Sequence, residues 1–337
     1  MSEKIRKYAD ENRYTVMLVG FIAILLLFFT ITKGKTLWTP GTWKGIVVQF
    51  PEYGLITLGI MFCFILGKMD MSFMMLGDFA SIMAVRYMAG HVPEDATTGQ
   101  MAGAILVGLL IAVLIGALGG LINGLLVAFL NIPPVMATIA MQMVWLGTSK
   151  AVTQGKAVTG VPSLYTEVGH MMVFGFIPFV LLIFIIAFVI CAFVLKYTSY
   201  GEKLYMVGSN NKAAHFSGIN VRKMIIGTYI LADILATLGC MIMVSSNNSA
   251  KADYGSSYVM QVILILVLAG VLPDGGMGKI INVLLSIVAV QIISSCVNMF
   301  RELNIYYANV IWGGLLLVVL IMGTRLTGGK RIRRKTT

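Results

Sequence analysis

The sequence predicts an all-α integral membrane protein of about ten transmembrane helices, some short or broken, with both termini cytoplasmic. Three observations predict it. Of 337 residues, 58% are apolar and 12% charged, and the mean hydropathy is +0.90. A soluble domain carries about 25% charge. The apolar residues also gather in continuous runs of spanning length, which selects helices over the alternating strands of a barrel. Finally, the basic residues collect in three clusters that fall on one side of the membrane once the runs are counted.

The runs lie at about 16–32, 45–66, 71–89, 101–130, 133–152, 172–196, 224–246, 258–272, 280–298 and 305–323. The first follows a basic start but continues for a spanning length with no small-residue cleavage site, so it reads as a retained span. The run at 71–89 carries Asp78 and Arg86, and that at 258–272 is short. Either suits a half-helix or re-entrant segment. Pro133-Pro134 ends the turn after the fourth run, because proline fixes the backbone and blocks helix continuation. Gly116, Gly119, Gly120 and Gly124 have the small-residue spacing that permits close helix packing.

The basic clusters are Lys4, Arg6, Lys7 and Arg13; Lys196, Lys203, Lys212, Arg222 and Lys223; and Arg325, Lys330, Arg331, Arg333, Arg334 and Lys335. They hold 15 of the 25 basic residues. With ten crossings, all three face the cytoplasm. The acidic segment 90–100 falls outside, and Lys33, Lys35 and Lys44 violate the pattern mildly. The net charge of +11 is therefore a topology signal, and no nucleic-acid partner is expected. Cys63, Cys191, Cys240 and Cys296 all lie in apolar runs without a CxxC pair and read as small apolar fillers.

No chemical engine is evident. PDGGMGKI at 273–280 lacks the spacing and the Ser/Thr of a phosphate-binding loop. There is no HExxH and no GxSxG, and His91, His170 and His215 are scattered. No catalytic residue, cofactor or metal is expected. The acidic candidates within the runs are Asp78 and Asp233, with Asp70 at a rim. That is a thin set for ion coupling. Uphill transport then needs energy from a partner.

The polar passage 197–223 is what such a partner can touch. Gly201, Gly208 and Gly218 divide it, and Asn211–Phe216 suits a helix of one to two turns, with Asn210 as N-cap and Gly218 as stop. A short exposed helix is either a docking knob or a solvated connector.

The pattern G-x6-G-x-N-x2-AA-x2-SGI, formed by Gly201, Gly208, Asn210, Ala213, Ala214, Ser217, Gly218 and Ile219, resembles the coupling loop of ribose/galactose-type permease subunits of bacterial ABC importers. NGLLVAFLNIPPVMATIAMQMVWLG at 123–147, LGKMDMSFMMLGDFAS at 66–81 and AGVLPDGGMGKIINVLLSIVAVQIISSCVNM at 269–299 are similar to further family segments, in the family's order. Lys68, Met71, Val135, Leu146, Pro273 and Asp274 depart from its usual residues. The resemblance implies a cytoplasmic N-terminus over 1–15, one transmembrane permease domain over 16–323 and a basic tail over 324–337. It implies a multi-pass protein of the bacterial plasma (inner) membrane that contacts lipid. It also implies three partners: an ABC ATPase subunit, an extracytoplasmic solute-binding protein, and a second permease copy or paralogue.

Within that reading, the loop residues named above couple to the ATPase. Asp70, Ser72, Asn123, Thr138, Gln142, Gln291 and Asn298 are candidates for the translocation path, since intramembrane polar groups need partners. Each also reads as helix–helix glue, and Asp70 as an N-cap before Met71–Phe73. Gly67–Ser72 and Pro273–Gly278 are candidate broken segments, each with an aspartate, that hint at an internal repeat. The solute class expected first is a small polar molecule such as a sugar. Nucleosides, sugar-like signalling molecules and branched-chain amino acids are the alternatives, with a self-contained ion-coupled carrier as the reading from another class.

Overall fold

The computed structural model describes residues 13–93, 95–173, 175, 177–297, 299, 307 and 310–321. The predicted path residue Asn298 lies outside them, as do the tail cluster and Lys4, Arg6 and Lys7. Among the described residues, thirteen helices run in order: α1 Arg13–Leu37, α2 Pro40–Ile65, α3 Phe73–His91, α4 Thr98–Ala128, α5 Pro134–Thr153, α6 Ser163–His170, α7 Phe179–Tyr197, α8 Ser199–Ser209, α9 Asn211–Phe216, α10 Val221–Asn247, α11 Tyr258–Leu268, α12 Ile280–Val297 and α13 Val310–Ile321. Each apolar run of the sequence coincides with one of these helices. Among the described residues, six helices (α1, α2, α4, α7, α10 and α12) are long and apolar enough to cross a membrane, and α11 and α13 are shorter apolar helices.

Local chemistry sets the ends. Thr97 and Gln100 form a capping box at α4, with the Gln100 amide donating to Thr97 Oγ1 at 3.4 Å and the Thr97 amide donating to Gln100 Oε1 at 2.9 Å. Pro134 occupies the first turn of α5, where its missing donor costs nothing. Asn220 caps α10 by accepting from the Lys223 amide. The run expected to begin at 172 differs at its start. Met172–Val173 and Ile177–Pro178 pair as a short antiparallel hairpin, β1 and β2. Pro178 then delays the helix until Phe179, since it cannot sit inside the ladder of a continuing helix.

The described chain forms two compact units. One comprises the described residues among 1–46, 260–272 and 278–337, and contains α1 and α12. Phe29, Leu37, Ile292 and Cys296 form its buried cluster, and Thr15 Oγ1 donates to Asn282 Oδ1 at 2.7 Å. The other comprises residues 47–259 and 273–277. Its centre is the packing of α10 on α3 and α4. Glycine allows that approach. A Cβ on Gly120 would sit 2.6 Å from the Tyr229 carbonyl oxygen, and one on Gly124 would sit 2.8 Å from the Ile226 Cα. The small-residue spacing thus serves backbone contact between α4 and α10, as membrane helices require where lipid supplies no hydrophobic drive between them.

Candidate functional site: the coupling loop and the polar centre

The passage between α7 and α10 folds as two helices, α8 and α9. Thr198 caps α8, accepting from the Gly201 amide at 3.4 Å. Gly201 lies where any Cβ would strike the carbonyls of Val194 and Leu195, so the chain can fold back on the end of α7 only with glycine there. The inward face of α8 is Gly201, Leu204 and Val207, at helical spacing. Tyr200 joins it to α10 through a 2.8 Å hydroxyl contact with Thr228. Burial pushes the Tyr200 phenol up to about 12, so the link stays neutral across physiological pH.

Asn210 caps α9, accepting from the Lys212 amide at 3.0 Å and the Ala213 amide at 3.1 Å. Gly218, at φ +82°, ends it. Ala214 is buried, whereas Ala213 and Ser217 are exposed, and the Phe216 ring is 89% exposed. Phe216 was not singled out by the sequence reading. Its signal was available: a large aromatic on a six-residue polar helix has no core to enter.

Gly208 occupies a junction of three backbone segments within one unit. A Cβ there would collide with the Ile65 carbonyl oxygen at the end of α2 and lie 2.7 Å from the Gly276 amide nitrogen. The Gly276 amide donates to that same Ile65 carbonyl at 2.8 Å. Gly67 faces Asp274 and Gly275 across the same junction. Gly67 and Gly276 have φ of +70° and +74°, which a side chain would strain. The two segments expected to be broken, Gly67–Ser72 and Pro273–Gly278, therefore meet, and the end of α8 packs on them.

Beyond Gly67 lies the polar centre. Asp70 Oδ1 accepts from the Ser72 amide at 2.6 Å and from Ser72 Oγ at 2.8 Å. Asp70 is not the helix cap; Ser72 holds that position, without a side-chain cap bond. Asn123 Nδ2 on α4 reaches Ser72 Oγ at 2.8 Å, Asp70 Oδ2 at 3.2 Å and Asp233 Oδ2 on α10 at 3.4 Å. All four residues are wholly buried.

The other candidates are placed elsewhere. Thr138 Oγ1 donates back to Pro134 O at 2.9 Å within α5. Gln142, also on α5, is half-buried, and its side chain has no partner among the described residues. Gln291 is buried in α12, in the other unit.

The acids inside the apolar runs are not confined to Asp70, Asp78 and Asp233. Glu52 also lies within a run, 3% exposed in α2, and accepts from Tyr258 Oη at 2.6 Å. Tyr53 stacks on Tyr258 with centroids 4.2 Å apart. Asp78 accepts from the Gly255 amide at 3.1 Å. A single acid inside a long apolar run is easily passed over, yet burial makes it costly and hence partnered.

At the opposite end of α7, α6 borders an open cleft of about 400 Å³ lined by Val161, Ser163, Thr166, Glu167, His170 and Asn248.

Comparison with known proteins places these features. The family model for "Branched-chain amino acid transport system / permease component" matches residues 43–322. The ribose import permease protein RbsC of Bacillus subtilis (strain 168) is 31% identical over 193 residues, covering 56% of this chain and 59% of that protein. The autoinducer 2 import system permease protein LsrD of Photorhabdus temperata is 26% identical over 283 residues, covering 80% of this chain and 78% of that protein. LsrD of Yersinia enterocolitica is 24% identical over 280 residues, covering 80% and 79%. No solved structure matches. The match spans the coupling loop, the glycine junction and the polar centre alike, and by it the chain belongs to the family of branched-chain amino acid transport system permease components.

Proposed function

We propose that this chain is the membrane-spanning permease subunit of an ABC importer for a sugar-like polar solute, in the plasma membrane of a bacterium. The observation that carries the reading is α9, an exposed helix rigidly capped at Asn210, whose preceding helix ends on the Gly67–Gly208–Gly276 junction. A separate ATPase subunit engages α9 through Phe216, Ala213 and Ser217. Its closure pushes α8, and α8 moves the ends of α2 and α3 through backbone contacts with no flexible side chain between.

The sugar-like class is supported by the relatives, whose names give ribose and autoinducer 2. The family's description gives branched-chain amino acids. Among the path candidates, Thr138, Gln142 and Gln291 offer hydroxyl and amide groups and no cation, which suits a neutral polyol better than a zwitterion, whose carboxylate needs a fixed positive charge. Ten crossings place 1–15, 197–223 and 324–337 in the cytoplasm around one permease domain over 16–323. The α6 cleft then faces the solute-binding protein. A second permease copy or paralogue completes the path. Gln142 is the path residue with a free head group; Thr138, Gln291 and Asn298 are further candidates, and Asp70, Ser72 and Asn123 border the path from within.

The test is uptake in proteoliposomes containing the chain, the ATPase and the binding protein. ATP-dependent ribose uptake supports the reading. Leucine uptake with no sugar uptake replaces the solute class while keeping the subunit role.

A further inference from the structure

Two carboxyl groups are buried together at the polar centre, with too few donors to serve both. Ser72 satisfies Asp70 Oδ1 twice. Asn123 Nδ2 has two hydrogens for three acceptors, and Asp233 Oδ2 at 3.4 Å is the farthest of them. Asp233 Oδ1 and Asn123 Oδ1 are buried with no hydrogen-bond partner at all. Neither aspartate has an ion-pair partner among the described residues. Asp70 Oδ2 and Asp233 Oδ2 both lie within 3.4 Å of the same Asn123 nitrogen, which brings the two carboxyl groups side by side.

The surrounding elements supply no cation. On α2, Cys63 is a buried free cysteine and offers no positive charge. Lys68, in the loop before Asp70, is half-buried and makes no ion pair. On α3, Asp78 is an acid committed to the Gly255 amide. No charged residue occurs in α4. On α10, Tyr229 donates to the Met69 carbonyl at 3.4 Å. Arg222 and Lys223 are exposed at the start of α10, about 15 Å along its axis from Asp233. Tyr200 on α8 is committed to Thr228. Two bare carboxylates in this setting carry a desolvation cost that one amide cannot offset.

We propose that Asp70 and Asp233 form a proton-binding site in the membrane core, where Asp233 is a neutral acid that donates its O–H to the Asp70 carboxylate. One added proton turns the surplus acceptor into a donor and ties the start of α3 to α10 directly. Asn123 then holds the pair from α4. The site exists only while α3, α4 and α10 stay packed; parting of these helices admits water and lets the proton leave. This inference rests on the geometry of the four residues and is independent of the solute and of the ATPase.

Infrared spectroscopy of the lipid-reconstituted protein, carrying carbon-13-labelled aspartate, tests it at neutral pH. The wild type minus Asp233→Asn difference should show loss of one protonated-carboxyl carbonyl band that shifts in heavy water. Loss of a carboxylate band instead overturns the proposal. An unfolding midpoint that rises with sodium chloride but not choline chloride in the wild type, and with neither in Asp233→Asn, also overturns it, since a metal ion then fills the site. Asp233→Asn keeps an N–H donor toward Asp70 and so preserves the packing. Should that variant still fail to fold, Asp78→Asn decides: a protonated-aspartate band that persists there supports the proposal, and its absence overturns it.

Discussion

Phe216 concentrates the coupling account in one side chain. Its ring is 89% exposed at the end of a six-residue helix, and nothing in the core of the described chain claims it. Aromatic anchors of this kind carry a large share of interface energy. Phe216→Ala should reduce ATP-driven uptake by at least about tenfold, the equivalent of roughly 1.4 kcal/mol of lost docking. The amount of folded subunit should be unchanged, since the ring is 89% exposed and meets the neighbouring His215 ring edge-on rather than a core residue. Transport assays beside size-exclusion profiles check both halves. Asn210→Ala acts on the same knob through its backbone. Losing the cap costs about 1 kcal/mol, so the amides of α9 should exchange hydrogen about fivefold faster, with α10 unaffected. Gln142→Ala should raise the apparent KM for solute severalfold if its half-buried amide lines the path; an unchanged KM removes it from the path.

Among the elements, α4 and α10 set the distances that the polar centre needs. Gly120→Leu places a side chain where the Tyr229 carbonyl oxygen stands 2.6 Å from the first added carbon. Overpacking of this kind costs about 1–3 kcal/mol. The unfolding midpoint in detergent should fall accordingly, whereas Leu125→Ala on the exposed face of the same helix should leave it nearly unchanged. The elements also show what the sequence could and could not reveal. The helix at 211–216 was legible because its cap, its stop and its residues are neighbours. The apolar runs were legible because burial in lipid demands length and composition alone. The meeting of Asp70 with Asn123 and Asp233 was not, for the partners stand 53 and 110 residues from Asn123. Only the packing of three helices brings them together, and no local pattern encodes it. The similar composition of Gly67–Ser72 and Pro273–Gly278 hinted at an internal repeat; that the two segments touch, and that Gly208 seals the junction, comes from tertiary structure.

Over the whole molecule, the account places α9 and α6 on opposite sides of the membrane. The four native cysteines are buried, so introduced thiols can be read against a quiet background. A membrane-impermeant maleimide should label Glu167→Cys in intact cells and Phe216→Cys only after the membrane is opened. The central claim is that the chain moves solute only when a partner hydrolyses ATP. Reconstitution of the purified chain into liposomes, with and without its ATPase and binding protein, tests it most directly. The account predicts concentrative uptake with all components and ATP, and none from the chain alone under an imposed proton or sodium gradient. Accumulation of solute by the chain alone under either gradient contradicts it.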